Sequence, residues 1–167
     1  MGLNEVSQIK PASDSARSEK VKIRPMEFRD LDRVSELEKR IFRAPWPRRS
    51  FVLELENSYS RSLVLEFQGR VVGYAVYWLI DGEAHLANIA IDADYRGMGL
   101  GETLLRFILQ ELKLRKVKNI HLEVRKSNVV AQNLYFKFGF KITGIRKNYY
   151  TKDREDALLM SLSLKEG

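Results

Sequence analysis

The chain has no cysteine, two histidines and four prolines among its 167 residues. Without cysteine there is no disulfide, no thiolate metal site and no cysteine nucleophile, and a reducing compartment suits such a composition. His85 and His121 lie far apart in sequence, so a metal would need carboxylates for most of its ligands, and none is expected. Also missing is any apolar run near the roughly eighteen residues of a membrane-spanning helix. The first residues lack the apolar centre of a secretory signal, and Val6 stands where a myristoylation signal has serine or threonine. These absences lead to the expectation of a cytoplasmic protein with no membrane partner.

What is present is enough apolar sequence, 44% of residues, for one core and too little length for two ordinary domains. Residues 1–19, with Pro11 and mixed charges, read as a flexible tail, and 20–167 as a single domain. The net charge of +7 suits an anionic ligand, a nucleic-acid neighbourhood or simply a basic surface.

Val21 to Arg24 alternate as a strand; Leu31, Val34, Leu37 and Ile41 then recur at helical spacing. Ala44-Pro45-Trp46-Pro47 breaks that helix, and Pro47 suits the first position of a short second one over about 48–57. Strands over 62–67, 70–79 and 83–91 are joined by Gln68-Gly69 and Asp81-Gly82 turns, which makes three successive antiparallel strands. Leu104, Leu105, Ile108 and Leu112 mark a third helix, and Ile120, Leu122 and Val124 a strand. Asn128 suits the cap of a fourth helix with Ala131, Leu134, Tyr135 and Phe138 as core, stopped by Gly139. Strands over 140–146 and 157–164 close the chain across a polar loop, 148–156. The order β-α-α-β-β-β-α-β-α-β-β predicts an α/β (α+β) fold, a mixed sheet covered by helices.

Between the fourth strand and the third helix stands IAIDADYRGMGLG, with glycines at 97, 99 and 101. Such a loop turns backbone N–H groups toward one point at a helix's positive end, which suits phosphate, although a tight strand-to-helix connection has the same composition. Glu102-Thr103 after Gly101 excludes the Gly-Lys-Ser/Thr ending of a P-loop. The glycine spacing also departs from the dinucleotide fingerprint.

Period-two alternation puts His121, Glu123 and Arg125 on the face opposite Ile120, Leu122 and Val124. Glu123 there is either a general base or half of a salt bridge with His121, Arg125 or a cross-strand partner. Tyr135 is either core or a general acid. Tyr149-Tyr150, among cations, suits either base stacking or the wall of a peptide groove. Trp46 has the same two-sided reading, as a staple between helices or part of a binding surface.

Taken together, these pieces resemble the GNAT superfamily of acyl-coenzyme A dependent N-acetyltransferases over about residues 21–164. Its coenzyme A signature appears as Arg96-Gly97-Met98-Gly99-Leu100-Gly101. Ala44-Pro45-Trp46, Asn88-Ile89-Ala90-Ile91, Leu122 to Asn128, Leu134 to Phe140, Asn148-Tyr149-Tyr150 and Arg154 to Ala157 are most similar to the protein N-terminal acetyltransferases of the ribosomal-protein-alanine (RimI) type and their archaeal relatives.

That resemblance implies a GNAT fold, a mostly antiparallel sheet of about seven strands with four helices, and acetyl-CoA as the donor. It implies a protein or peptide N-terminus as acceptor, a ribosomal protein among the candidates, and attack in a ternary complex. Glu123 falls on the family's base and Tyr135 on its acid. Ile89, Ala90 and Ile91 fall on the strand that holds the acetyl and pantetheine arm, residues 96–101 on the pyrophosphate loop, and Asn128 on a side-chain contact to the cofactor. Trp46, Tyr149 and Tyr150 would line the acceptor channel. Arg48-Arg49 and Arg146-Lys147 make its rim basic, which suits acidic residues just after the acceptor. Acetylation of lysine or a small amine is the alternative within the fold. A non-catalytic ribosome- or RNA-binding module is the alternative outside it, although nucleic acid is not the expected partner.

Overall fold

Two tight turns set the first half of the sheet. Gln68 and Gly69 have φ of 54° and 80°, and Asp81 and Gly82 have 52° and 77°. Two-residue loops with both centres left-handed match the twist of the strands they join. They connect β2 (Ser60–Phe67), β3 (Arg70–Ile80) and β4 (Glu83–Ile91), and β1 (Val21–Pro25) pairs antiparallel with β2. The computed structural model describes residues 20–165; the tail expected over 1–19 lies outside them.

Four helices cover the sheet among the described residues: α1 (Leu31–Ile41), α2 (Arg48–Glu56), α3 (Leu100–Leu114) and α4 (Val129–Lys137). The remaining strands are β5 (Asn119–Arg125), β6 (Lys141–Tyr150) and β7 (Glu155–Ser163), and the sheet runs β1-β2-β3-β4-β5-β7-β6. Among the described strands only β4 and β5 pair in parallel, because α3 carries the chain back between them. No helix of the described residues is long and apolar enough to cross a membrane.

The two faces of the sheet bury different helices. Leu31, Val34 and Leu37 of α1 and Phe51 of α2 pack on Val64, Tyr74 and Val76. Leu100, Leu104, Leu105, Ile108 and Leu112 of α3 pack on Ala75, Tyr77, Leu86, Ile120 and Leu122. Of the side chains expected to anchor α4, Tyr135 is buried, whereas Ala131, Leu134 and Phe138 are partly buried against the same core.

Several boundaries differ from those read in sequence. Pro47 has ψ of 155° and caps α2 rather than opening it. β2 starts two residues earlier, at Ser60. More consequentially, β6 continues to Tyr150, so Asn148, Tyr149 and Tyr150 belong to a strand and the connection shrinks to residues 151–154. Pairing of Tyr150 with Glu155 carries the strand past a bulge at 147–149, where Asn148 has φ of 54° and donates its amide to Asp156 Oδ1 at 2.9 Å, a tertiary effect that composition does not report.

A β-bulge then shapes the middle of the sheet. The β3–β4 register steps from Val76↔Asn88 to Tyr77↔Leu86, leaving Ala87 extra. Leu86 therefore faces the α3 core while Asn88 and Ala90 face α1, although all three are two residues apart. Beyond the bulge β4 leaves β5: pairing ends at Leu86↔Leu122, while β4 runs on to Ile91 and β5 to Arg125.

Candidate active site

The gap between the diverging ends of β4 and β5 is the middle of a cavity of about 650 Å³. Asp92 donates its amide to the Val72 carbonyl at 2.7 Å. In an antiparallel ladder alternate residues turn both backbone groups to the partner, so Ala90 and Asn88 are committed to β3. Ile89 and Ile91 turn theirs the other way, into the gap. The Ile91 carbonyl accordingly accepts from Arg96 Nε at 3.3 Å.

At one end of the cavity lies the glycine loop. Gly97 and Gly99 have φ of 78° and 76°, and a Cβ built on either would meet nothing within 4 Å. Glycine is thus demanded by the backbone, and the space beside it is open. No side chain caps α3, so the amides of its first turn lack a side-chain acceptor. Glu102 in that turn is tied to Lys137 and Arg106, each at 2.8 Å. These pairs hold its carboxyl below the usual range, Lys137 most strongly. A loop of left-handed glycines at an uncapped helix end, opening onto a gap lined by strand backbone that has no strand partner on that side, fits the pyrophosphate and amide-bearing arm of coenzyme A.

Glu123 and Tyr135 stand on the cavity wall. Both Glu123 oxygens lie 2.8–2.9 Å from His85 Nε2 of β4. His121 and Arg125, the other candidate partners, are engaged elsewhere: His121 with Ser161 and Glu83, Arg125 with Asp153 and Glu155. His85 stacks on Trp78 with ring centroids 5.0 Å apart, and its Nδ1 is buried without a partner. With Nε2–H donating to the carboxylate, Nδ1 is left as a buried acceptor without a donor. The Tyr135 hydroxyl has no hydrogen-bond partner among the described residues, and burial, with Tyr150 nearby, pushes it well above an ordinary tyrosine.

Opposite the glycine loop, three segments meet. Trp46 packs on Phe51 at 5.3 Å, so it does staple α1 to α2 while lining the cavity. Tyr150 lies under the Arg125 guanidinium, 4.1 Å from its carbon, and burial raises its hydroxyl to about 12. Asp153 joins the two lips, 2.7 Å from Arg125 and 3.2 Å from Arg43. Arg48 turns away to Asp32 at 2.9 Å. Of the four rim cations Arg48, Arg49, Arg146 and Lys147, Arg48 is thus paired, in an exposed ion pair that neutralises little.

The cavity wall thus brings together Trp46, Ile89, Ala90, Ile91, Arg96, Gly97, Gly99, Leu100, Gly101, Glu123, Asn128, Tyr135 and Tyr150. Met98 instead packs against the α3 core, and Tyr149 lies outside the wall, edge-on to Tyr150 at 5.1 Å. Ala90 contributes surface only, since its backbone serves β3. Asn128 has its Oδ1 taken by the Ala131 amide at 3.1 Å, so it caps α4 while lining the site. Sequence reading missed His85, Asn88 and Glu38. Glu38 carries a signal in retrospect: it sits on the buried stripe of α1, four residues after Val34 and seven after Leu31.

The acetyltransferase (GNAT) family model matches residues 31–140. The putative ribosomal protein bS18-alanine N-acetyltransferase of Bacillus subtilis (strain 168) is 45% identical over 148 residues, covering 88% of this chain and 98% of that protein. The crystal structure of the ribosomal-protein-S18-alanine N-acetyltransferase from Escherichia coli superposes with a TM-score of 0.82 at 36% identity, over 88% of this chain and 96% of that one. Ard1 from Thermoplasma volcanium reaches the same TM-score at 26% identity, over 88% and 99%. The divergence of β4 from β5, the glycine loop and these likenesses converge: the chain belongs to the GNAT family of acetyltransferases.

Proposed function

We propose that the protein transfers an acetyl group from acetyl-CoA to the N-terminal α-amino group of a protein, with the N-terminal alanine of ribosomal protein bS18 as the acceptor. One observation carries the reading: a continuous cleft runs from the uncapped glycine turn of α3, past the backbone of Ile89 and Ile91 that β5 leaves without a strand partner, to Glu123 and Tyr135. The names of the B. subtilis and E. coli relatives support the acceptor. A ribosomal acceptor places the protein in the cytoplasm.

Acetyl-CoA supplies a thioester carbonyl open to attack by an amine. The amides of residues 96–101 hold its pyrophosphate, Ile89 and Ile91 orient its arm through their backbone groups, and Asn128 closes the side of the channel. An α-amino group with an ordinary pKa of about 7.7–8.0 arrives largely protonated at neutral pH. Glu123, oriented by His85, accepts that proton at a carboxylate oxygen, directly or through a water. Tyr135 keeps its proton, because burial disfavours the phenolate, and gives it to the departing sulfur. Trp46 and Tyr150 flank the entrance through which the amine arrives, and Tyr149 supports Tyr150 from outside.

Thiol release from acetyl-CoA, followed with peptides varied at their first four residues, tests the reading. Turnover should be greatest for the peptide with the bS18 N-terminus. A preference for spermidine-like amines over every peptide would overturn it.

A further inference from the structure

Glu38 belongs to α1, yet its carboxylate reaches three other segments. It is 1% exposed, and it lines the cavity. Oε1 accepts from the Tyr74 hydroxyl of β3 at 2.7 Å and from Asn88 Nδ2 of β4 at 2.9 Å. Oε2 accepts from the backbone amide of Trp46, in the α1–α2 connection, at 2.9 Å. An aliphatic residue at this position of the stripe would fill the core without the desolvation penalty of a carboxylate. What only the carboxylate does is bind three donors at once, and two of them belong to opposite walls of the cleft.

We propose that Glu38 is a positioning residue that clamps the acceptor-side loop at Trp46 to the bulged strand at Asn88, and thereby sets the entrance that admits the amine. The inference rests on the N-terminal transferase reading for what passes the entrance, and on the three hydrogen bonds for the clamp. The bulge at Ala87 is essential to it, because without that extra residue Asn88 would face the α3 core instead of α1. The same bulge aims Ile89 and Ile91 into the gap, so one carboxylate ties the acceptor wall to the strand that faces the donor. Neither Glu38 oxygen touches the glycine loop, so the donor's pyrophosphate site is independent of the clamp.

Glu38→Gln tests this, because the amide can still accept from Tyr74 and Asn88 while its NH₂ group opposes the Trp46 N–H. Steady-state kinetics should show peptide KM raised about tenfold with kcat changed less than threefold, in line with one lost charge-assisted hydrogen bond. Calorimetric coenzyme A affinity should stay within about twofold of wild type. A second measurement needs no variant: in the wild-type protein the Trp46 amide, although outside any helix or strand, should resist hydrogen exchange well beyond the rate of an open loop. An unchanged peptide KM with only a lowered melting temperature, coenzyme A affinity falling in step with peptide KM, or a freely exchanging Trp46 amide would each overturn the clamp. Absence of wild-type turnover on every peptide would instead defeat the proposed acceptor class, leaving the exchange measurement to decide the clamp.

Discussion

Glu123 of β5 and His85 of β4 meet across the last paired rung before the strands part, with Nε2 2.8 Å and 2.9 Å from the two carboxylate oxygens. The imidazole is fixed in turn by its stack on Trp78, whose Nε1 donates to Glu54 at 2.6 Å. The carboxylate is therefore held from the side of the sheet remote from the glycine loop. Glu123→Gln should lower kcat by about 10²–10⁴-fold, the usual contribution of a general base, with coenzyme A affinity unchanged. His85→Ala should lower kcat by only about tenfold, because the base remains and only its orientation is lost. Steady-state kinetics with calorimetry of coenzyme A binding checks both, and equal losses in the two variants would make His85 more than a support.

Tyr135 gives a prediction in pH. Its proton is favoured by burial first and by Tyr150 second, so the folded protein keeps the phenol neutral well past the ordinary value of 10. A group raised in this way stays protonated at lower pH and gives up its contribution only as pH climbs through the raised value. The rate should therefore rise as the acceptor amine deprotonates and show no alkaline fall from Tyr135 up to pH 10. Tyr135→Phe should lower kcat about 10²-fold at every pH in that window, leaving the shape of the profile intact. A fall in wild-type rate near pH 9 that vanishes in the variant would contradict this assignment.

Gly99 and Gly69 separate backbone strain from ligand binding. Both have left-handed φ, 76° and 80°, and both have open space where a Cβ would stand. Alanine at either position should destabilise the fold by about 1–2 kcal/mol. Only Gly99→Ala should also weaken coenzyme A binding, by about tenfold, because that Cβ enters the cleft while the Gly69 one projects from the β2–β3 turn. Denaturation and calorimetry on the two variants give the comparison.

Away from the site, Arg24 binds Asp30 through both guanidinium ends at 2.8 Å, and the side chains are 11% and 5% exposed. The Arg24 hydrogen bond is the main cause that holds the Asp30 carboxyl below its ordinary 3.8. Its stabilisation is complete above that value and is lost as pH falls through the lowered one. Asp30→Asn should cost about 3 kcal/mol at neutral pH, since it leaves a mostly buried guanidinium with fewer partners. The gap between wild type and variant should narrow below pH 4, which urea melts at several pH values would show.

Most of this architecture was legible because it rests on local signals. Asp81-Gly82 and Gln68-Gly69 fixed two hairpins, Asn128 announced the start of α4, and Gly97 and Gly99 marked a loop that only glycine can form. What was not legible depends on register. His85 reaches Glu123 only because α3 returns β5 parallel to β4, with His85 opposite His121, and no spacing in the chain encodes that alignment. Asn88 faces α1 only because of the bulge at Ala87, whereas simple alternation places it with Leu86. Tyr149 and Tyr150 read as loop residues because their polar neighbours lack strand periodicity, and the pairing of Tyr150 with Glu155 overrides that signal. Arg48 reads as a rim charge in sequence, whereas its ion pair with Asp32, sixteen residues away, depends on how α1 and α2 pack.

On the proposed function the cleft acetylates the end of a chain. A single peptide carrying the bS18 N-terminal sequence and one internal lysine, incubated with enzyme and acetyl-CoA and then fragmented in a mass spectrometer, tests it directly. One acetyl group is expected, on the α-amino nitrogen of the first residue, with no product from the same peptide carrying a blocked N-terminus. Acetyl on the lysine, with the free α-amine left untouched, would contradict it.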